Sequence, residues 1–270
     1  MRMVVKIAGA LFDDAEAIRS LASQIAQLAH QGHELLVVHG GGKIFTAMLK
    51  RMGIESRFVN GLRVTDRETR DVAVMVMGGL LNKRLAGAIS AAGQPAIGLC
   101  ASDAGCFLAE PMMREEVSGS LGFVGYLTGV NLELLESMWR MGVVPVASCL
   151  GLGADGELYN INADHMAAAC AEYIHADRLI FMTDVAGVLD GSKVLKVVSC
   201  GEIEDLIRHN KVSGGMILKL EACKRAISAG VAQVRIVGGT KEGGLLAAAN
   251  GAKGPGTRVT PNVSPVGVEH

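Results

Sequence analysis

The chain has 270 residues, of which half are hydrophobic and a fifth are charged, and its formal net charge is −1. This composition suffices for one large or two moderate hydrophobic cores. A near-neutral chain without long basic or acidic runs argues against nucleic acid and anionic membranes as partners. No uncharged apolar segment approaches the roughly 20 residues of a membrane span, and the charged N-terminus does not resemble a signal peptide. We therefore expect a cytoplasmic protein.

The six cysteines contain no Cys-x-x-Cys pair, and most lie among apolar residues. Free cysteines in apolar surroundings behave as small buried hydrophobes and are typical of a reducing compartment. A zinc site requires closer spacing of its ligands. The sequence therefore predicts no protein-held metal.

Apolar runs that predict strands alternate with three- and four-residue spacings that predict helices. In the first half of the chain the predicted strands cover residues 3–7, 35–39 and 96–99, with a hairpin at Asn60-Gly61. The predicted helices there cover residues 14–31, 44–52, 66–92 and 132–141. Within the long helix 66–92, the spacing of Met75 and Met77 predicts packing against the core.

The second half continues the alternation, with predicted strands at residues 143–148, 158–161, 179–182 and 234–237, and a short strand pair within 120–128. Its predicted helices cover residues 163–175, 203–209, 216–229 and 245–249. This order predicts an α/β fold with a mainly parallel sheet covered on both faces. A weak domain boundary falls near residues 171–177. The tail 261–270 has two prolines and no periodicity, which predicts disorder.

Two glycine-containing loops follow predicted strands near the N-terminus. The run 35–43 ends in three consecutive glycines before a helix, a pattern typical of phosphate-binding loops, because glycine permits close approach or positive φ and a helix N-terminus offers free N–H groups. The alternative is a tight strand-to-helix turn. Lys6 ends the first strand before a small-residue loop, where open α/β sheets bind ligands. The alternative for Lys6 is a solvated surface lysine.

Asn160, Asn162 and Asp164 alternate before an alanine-rich helical segment. Alternation in an extended stretch would put these three polar side chains on one side, and Asp164 alone has the alternative role of helix N-cap. Residues 183–188 form either a nucleotide-binding loop or an ordinary turn after a strand.

The glycine-rich segment 213–219 places Lys219 in the predicted first turn of a helix. A cation is unfavourable there, which suggests an anion between lysine and helix; the alternative is a tolerated surface lysine. Arg63 follows the Asn-Gly turn and suits a carboxylate. We assign no catalytic role to His39 or Asp103.

Six motifs occur in this order along the chain: Lys-x-x-Gly, His-Gly-Gly-Gly, Gly-Leu-Arg-Val-Thr, Asn-Ile-Asn-Ala-Asp, Thr-Asp-Val-x-Gly-Val and Gly-Gly-Met-x-x-Lys. Together they resemble the motifs of the amino acid kinase superfamily. The resemblance covers residues 4–259 and is closest to the branch that phosphorylates N-acetyl-L-glutamate in arginine biosynthesis. Arg63 and the block 160–164 are its most specific parts.

This resemblance implies a three-layer α/β/α sandwich. Residues 1–172 would form an N-terminal lobe for the acylated amino acid and for dimerisation, and residues 173–260 a C-terminal lobe for ATP with Mg²⁺ held mainly by the phosphates. Lys6 and Lys219 would stabilise the transferred phosphoryl group, with Asp164 orienting both. Residues implied to bind the substrate are Gly41, Gly42, Arg63, Asn160 and Asn162. Those implied to contact the nucleotide are Gly9, Asp184, Val185, Ala186, Gly187, Val188, Leu189, Lys211, Val212 and Ser213.

The sequence departs from the family at Ala8, where a second glycine is usual, and at Asp103-Ala104-Gly105. It also starts directly at its first strand, without the extra helix of arginine-inhibited hexamers, so we expect an arginine-insensitive homodimer. One alternative substrate is N-succinylglutamate; another is an N-blocked aminoadipate, free or carrier-linked. An alternative of another class is a non-catalytic small-molecule sensor or storage protein. A Rossmann dehydrogenase is disfavoured because residues 6–14 lack Gly-x-Gly-x-x-Gly.

Overall fold

The computed structural model describes residues 1–112, 121–240, 242–251 and 254–262, and every structural statement below concerns these residues. In chain order its strands are β1 (Arg2–Ile7), β2 (Glu34–His39), β3 (Phe58–Val59), β4 (Leu62–Arg63), β5 (Ala96–Leu99), β6 (Phe107–Pro111), β7 (Gly125–Val130), β8 (Val144–Ser148), β9 (Leu150–Leu152), β10 (Leu158–Asn160), β11 (Arg178–Thr183), β12 (Leu189–Asp190), β13 (Lys193–Val194), β14 (Val197–Ser199), β15 (Gln233–Gly238) and β16 (Thr257–Thr260).

The helices are α1 (Ala15–His30), α2 (Gly42–Arg51), α3 (Arg67–Ala73), α4 (Asn82–Ala91), α5 (Leu132–Arg140), α6 (Ala163–Tyr173), α7 (Cys200–Arg208), α8 (Gly215–Ser228) and α9 (Gly244–Asn250). Short 3₁₀ turns occupy Gly9–Asp13 and Asp103–Gly105. A π-helical segment, Val74–Leu81, joins α3 to α4. Apart from the strand pair predicted within 120–128, the predicted elements exist, with ends shifted by a few residues.

The central sheet has eight strands in the order β14-β16-β15-β11-β1-β2-β8-β5. All neighbouring strands are parallel except β15 and β16. Strand β1 lies between β2 and β11, so the loops after these three strands meet at one edge of the sheet. One half of the sheet comes from residues 1–172 and the other from 173–260. The division into two lobes at this point stays a prediction.

Two separate hydrophobic clusters cover the two faces of the sheet. Helices α1, α4 and α9 pack on one face through residues such as Leu21, Leu85 and Leu245. Helices α5, α6, α7 and α8 pack on the other face, where Leu135 and Ile203 lie. The predicted three-layer α/β/α sandwich with a mainly parallel sheet is confirmed.

A smaller four-stranded sheet, β10-β9-β6-β7, lies beside the central sheet. The predicted strand pair within 120–128 is wrong for the described residues of that range: β7 pairs antiparallel with β6, whose residues lie 14 to 23 positions earlier in the chain, and not with a neighbour inside the range. The predicted hairpin is present as β3 and β4, and Asn60 and Gly61 both have positive φ, of 49° and 78°. The predicted disorder of residues 263–270 lies outside the described residues.

The segment Arg67–Ala91 is one continuous 25-residue helix whose middle turns are π-helical. By length and hydropathy this helix meets the criteria for a membrane span, whereas the sequence analysis found no segment that approaches one. Half of its most apolar 18-residue window is buried inside the protein, and the core helix of a soluble protein meets the same criteria. Met77 is buried as predicted, whereas Met75 is 56% exposed, so its predicted core role is wrong. Residues two positions apart lie on different sides of a helix, so Met75 and Met77 do not both face the core.

Candidate functional site

The loops after β1 and β2 pack directly against each other at the edge of the sheet. A Cβ atom added to Gly9 would lie 2.8 Å from the Gly42 nitrogen, and one added to Gly41 would lie 2.6 Å from Leu81 Cδ1. None of the glycines 40–42 has a positive φ. Close packing therefore explains why these positions are glycines: Gly9 packs against the backbone of residues 41 and 42, and Gly41 packs against the side chains of Leu81 and Met77. The α-carbon of Gly42 faces open space.

Two lysine ammonium groups converge on one carboxylate where these loops meet the helices. Lys6 Nζ, at the end of β1, lies 2.7 Å from Asp164 Oδ1. Lys219 Nζ, from α8, lies 2.8 Å from the same oxygen and 2.9 Å from Asp164 Oδ2. The three side chains are only 7%, 8% and 11% exposed for Lys6, Lys219 and Asp164. The surface alternatives for both lysines are therefore wrong.

This trio carries a net positive charge at the base of a cleft. Burial alone would raise the pKa of Asp164, but the charges of Lys6 and Lys219 outweigh it and lower that pKa to about 2. Burial, together with the charge of Lys6, lowers the pKa of Lys219. Two ammonium groups and one carboxylate leave one uncompensated positive charge, which an anionic ligand would neutralise.

The N-termini of the helices that carry Asp164 and Lys219 differ from those predicted from the sequence. Strand β10 ends at Asn160, and the side chain of Asn162 caps α6 by accepting hydrogen bonds from the N–H groups of Asp164 and His165, at 3.0 and 3.2 Å. Asp164 is thus not the N-cap, and the three polar residues do not share one extended strand, because the helix begins between them. Lys219 is the fifth residue of α8 and so begins its second turn, not its first.

Arg63 is a buried cation without an acidic partner among the described residues. Its guanidinium lies between two rings, 4.6 Å from the centre of Phe45 and 4.5 Å from that of Phe58. It donates hydrogen bonds to Ser56 Oγ at 2.5 Å and to Thr46 Oγ1 at 2.7 Å. Burial lowers the pKa of Arg63. A cation held this rigidly, with donors to spare, suits a carboxylate ligand.

One cavity of about 210 Å³ joins Arg63 to the trio. Its lining includes eight of the predicted site residues: Lys6, Gly9, Gly41, Gly42, Arg63, Asn160, Asn162 and Asp164. Lys219 reaches the same place through Asp164. The sequence analysis missed the apolar part of the lining, to which Phe45, Phe58, Leu62, Met77, Val124, Cys149 and Ile161 belong. These residues look like ordinary core positions in the sequence, and only Phe58 and Leu62, beside the hairpin turn, carry a local signal.

Apart from Gly9, the residues predicted to contact a nucleotide do not line this cavity, and they follow β11 in the chain. Asp184 and Ala186 are exposed at the end of β11, and Ser213 is exposed just before α8. Val188 and Val212 are buried in the core, so only their backbone is available to a ligand. Of the remaining predicted residues, Val185 is half-buried, Gly187 is buried and Leu189 is exposed. Lys211 Nζ lies 3.1 Å from Asp190 Oδ2, beside a second cavity of about 260 Å³.

The described residues contain no group of three or more acidic, histidine or cysteine side chains that could hold a metal ion. A divalent cation would therefore depend on ligand oxygens for most of its coordination, since Mg²⁺ commonly binds through substrate phosphates and waters.

Comparison with known proteins decides the family. The profile of the amino acid kinase family matches residues 1–238, most of the chain. This chain belongs to the amino acid kinase family. Its relatives in this family include the acetylglutamate kinase of Koribacter versatilis, 52% identical over 89% of this chain and 92% of the relative. The acetylglutamate kinase of Acidobacterium capsulatum is 44% identical over 88% of this chain and 90% of the relative.

Solved structures support the amino acid kinase fold. The N-acetylglutamate synthase of Neisseria gonorrhoeae superposes with a TM-score of 0.86 at 21% identity, over 97% of this chain and 60% of the synthase chain. The protein smu.665 of Streptococcus mutans superposes with a TM-score of 0.80 at 27% identity, over 96% and 98% of the two chains. The predicted family is thus confirmed, whereas the roles of the individual site residues stay predictions.

Replacing Asp164 tests the electrostatics of the trio. Asp164→Asn leaves two buried ammonium groups without a counter-charge, and breaking a buried pair in this way costs about 3–5 kcal/mol of unfolding free energy. The measurement is urea denaturation at pH 7, with Asp184→Asn, at an exposed carboxylate, as the control that changes little.

The difference in unfolding free energy between wild type and Asp164→Asn should depend on pH in a defined way. The folded pKa of Asp164, about 2, lies below its ordinary value of 3.8, so the stability that its charge contributes is present above pH 3.8 and is lost as the pH falls towards 2. The difference between wild type and Asp164→Asn should be constant from pH 7 to about 5 and shrink below about 4. A variant as stable as wild type at pH 7 contradicts the account of the trio.

Proposed function

We propose that this protein transfers the γ-phosphoryl group of ATP to the side-chain carboxylate of N-acetyl-L-glutamate, giving N-acetyl-γ-glutamyl phosphate and ADP. The observation that carries the proposal is the Lys6–Asp164–Lys219 trio, which opens onto the same cavity as Arg63. Acetylglutamate kinases that match nine-tenths of the chain support the choice of substrate.

The chemistry requires charge neutralisation rather than a base. The attacking carboxylate has an ordinary pKa of about 4.3 and is ionised at neutral pH. One of its oxygens bonds to the γ-phosphorus while the bond from that phosphorus to the β,γ-bridging oxygen breaks, and ADP leaves with the electron pair. Lys6 and Lys219 would each approach an oxygen of the transferred group, and Asp164 would hold both ammonium groups in place. Phosphoryl transfer depends mainly on such positioning and charge stabilisation.

The cavity favours an N-acetyl over an N-succinyl substrate. Lys6 and Arg63 are the cations among its described lining residues, and Lys6 is already bonded to Asp164. Arg63 would bind the α-carboxylate, with the amide of Asn160 close to the acyl group; no further cation remains for a second carboxylate. The apolar side chains of Leu62 and Val124 suit an acetyl methyl group.

ATP would bind across the loops that follow β11 and precede α8. Exposed Asp184 and Ser213 border this region. At the start of α8 the N–H groups of Met216 and Ile217 bond to the carbonyls of Ser213 and Gly214, so among the described residues the N–H groups of Gly214 and Gly215 are the ones left for phosphate oxygens. When bound, Mg²⁺ supplies further neutralisation of the phosphates; its coordination would come mainly from the phosphates themselves. All six cysteines are free thiols, which supports a cytoplasmic location.

Hydroxylamine trapping of the acyl phosphate tests the function directly. With ATP and Mg²⁺, N-acetylglutamate should give hydroxamate at least tenfold faster than N-succinylglutamate, N-acetylaminoadipate or glutamate. Equal or greater rates with another acid contradict the substrate, and ligand binding without any hydroxamate supports the sensor or storage alternative.

Lys6→Ala and Lys219→Ala should each lower kcat on the order of a hundredfold or more, because each removes one stabiliser of the transferred group. The control is Lys224→Ala in the same helix as Lys219, where the ammonium pairs with Glu204 away from the cavity. Circular dichroism checks that the variants fold. Near-normal turnover in both lysine variants excludes the mechanism.

Arg63→Lys should raise KM for N-acetylglutamate at least tenfold and leave KM for ATP unchanged, since lysine lacks the planar fork that stacks between Phe45 and Phe58. The matched control is Arg57→Lys, because Arg57 is an exposed arginine in the same segment. Initial rates at varied concentrations of each substrate separate the two constants. An unchanged KM for N-acetylglutamate would remove Arg63 from substrate binding.

We further propose a homodimer whose interface includes the exposed apolar side chains of Met75, Leu80 and Ile97. Ile97 lies on β5, the open edge of the central sheet, and large exposed apolar groups at a sheet edge are typical of interfaces. Light scattering should give twice the 28.2 kDa chain mass. Ile97→Glu should halve that mass, and Met141→Glu, at another exposed apolar position, should not. A monomeric wild type contradicts this proposal.

A further inference from the structure

His39 and Asn82 form a wholly buried polar pair directly behind the loop of glycines 40–42. Neither side chain is exposed. His39 ends β2, immediately before Gly40, and Asn82 is the first residue of α4 after the π-helical segment. Asn82 Nδ2 lies 3.2 Å from His39 Nε2, and His39 Nδ1 lies 3.1 Å from the carbonyl oxygen of Gly40. The proposed mechanism assigns no task to either side chain.

The hydrogen bonds of this pair define the tautomer of the imidazole. Asn82 Nδ2 also donates to the carbonyl oxygen of Val146 at 2.8 Å, so this atom is the nitrogen of the amide. Its second N–H then points to His39 Nε2, which must accept and therefore carries no hydrogen. The hydrogen of the neutral ring lies on Nδ1 and is donated to Gly40. Burial, opposed only in part by the bond to Gly40, lowers the pKa of His39 to about 4, so the ring is neutral at pH 7.

The bond to Gly40 controls the direction of a backbone amide in the cavity. The Gly40 carbonyl and the Gly41 N–H belong to one planar trans peptide, so they point in opposite directions. Fixing the carbonyl towards His39 therefore fixes the N–H in the opposite direction within that plane, away from His39. The N–H of Gly41 has no acceptor among the described residues, and Gly41 lines the cavity. This amide is available to an anionic group of the reactants.

The surroundings restrict the pair to this geometry. A Cβ on Gly98 would lie 2.0 Å from Asn82 Oδ1, so β5 can approach the amide only because residue 98 is glycine. Asn82 Oδ1 itself has no hydrogen-bond partner. An unpaired buried amide oxygen costs free energy, and a purely apolar side chain would avoid that cost. The two N–H donors of Asn82, to His39 and to the Val146 carbonyl, thus come at the cost of one unpaired oxygen.

We propose that His39 and Asn82 are positioning residues, which orient the 40–41 peptide so that the Gly41 N–H donates to the phosphoryl group during transfer. The inference rests on the proposed kinase function. Hydrogen bonds from a fixed backbone amide act where charge develops in the transition state. The pair therefore affects kcat more than the KM of either substrate.

The first test is spectroscopic and independent of activity. Nitrogen-15 NMR of the wild-type protein labelled at histidine, with His39→Asn to assign the signals, should show a protonated Nδ1 and an unprotonated Nε2 for His39 at pH 7. In Asn82→Asp the carboxylate accepts from Nε2, so a proton should appear on that nitrogen. A wild-type His39 that is protonated on Nε2 at pH 7 overturns the proposal.

The second test is kinetic. His39→Leu removes the donor to Gly40 and should lower kcat at least tenfold, with less than a threefold change in either KM. His39→Asn can place an amide N–H near the position of Nδ1 and should restore kcat to within about threefold of wild type. The control is Gln94→Leu, which removes a buried amide that donates to Gly142 at a distance from the cavity, and it should affect thermal stability only.

The outcomes separate this inference from the function on which it rests. An active wild type whose kcat is retained in folded His39→Leu, or lost equally in Gln94→Leu, contradicts the positioning role alone. Should His39→Leu fail to fold, the comparison of His39→Asn with wild type and the tautomer measurement decide. A wild type without hydroxamate formation refutes the kinase function and with it the transfer step proposed for Gly41.

Discussion

Two ammonium groups share one buried carboxylate in this protein, and the rest of the site depends on that arrangement. Lys6 comes from the strand at the centre of the sheet, Lys219 from a helix more than 200 residues later, and Asp164 from a third element between them. Lysines are rarely buried without a partner. Asp164 makes it possible to hold both away from water while one positive charge is left over for a ligand.

The sheet topology explains how these elements meet. Because β1 lies between β2 and β11, the loops from both halves of the chain converge at the edge where β1 ends. The glycines at positions 9 and 41 let two of these loops touch. Arg63 reaches the same cavity from a separate hairpin, and its guanidinium is held between the rings of Phe45 and Phe58. Fixed cations thus lie at both ends of one cavity, an arrangement that in the proposed reaction would lower the cost of bringing two anions together.

The sequence analysis identified most of the central sheet, because buried parallel strands are continuous apolar runs and their helices keep a regular spacing. It also found the charged residues of the site through the loops in which they lie and through resemblance to a family. It missed six strands of two to five residues, β6, β9, β12, β13, β14 and β16. Three of them, β6, β14 and β16, pair with residues 14 to 61 positions away in the chain, which no local pattern indicates. The π-helical segment was likewise missed; in the structure its Met77 and Leu81 pack against Gly41.

The positions of individual side chains were harder to predict than their presence. The sequence placed Asp164 at the right locus but left its capping role open, whereas in the structure Asn162 is the cap. Nothing in the sequence links His39 to Asn82, because 43 residues separate them and the bond forms only after β2 and α4 pack. Tertiary contacts of this kind decide which polar residue faces the ligand and which one supports the loop.

The most direct test of the central claim is a crystal structure with ADP, Mg²⁺, aluminium fluoride and N-acetylglutamate, which together mimic the transferred phosphoryl group between donor and acceptor. The account predicts that Lys6 Nζ and Lys219 Nζ both lie within hydrogen-bonding distance, about 3 Å, of the fluoride group, with Asp164 still contacting both. A fluoride group bound away from this pair, or contacted by neither lysine, would contradict it.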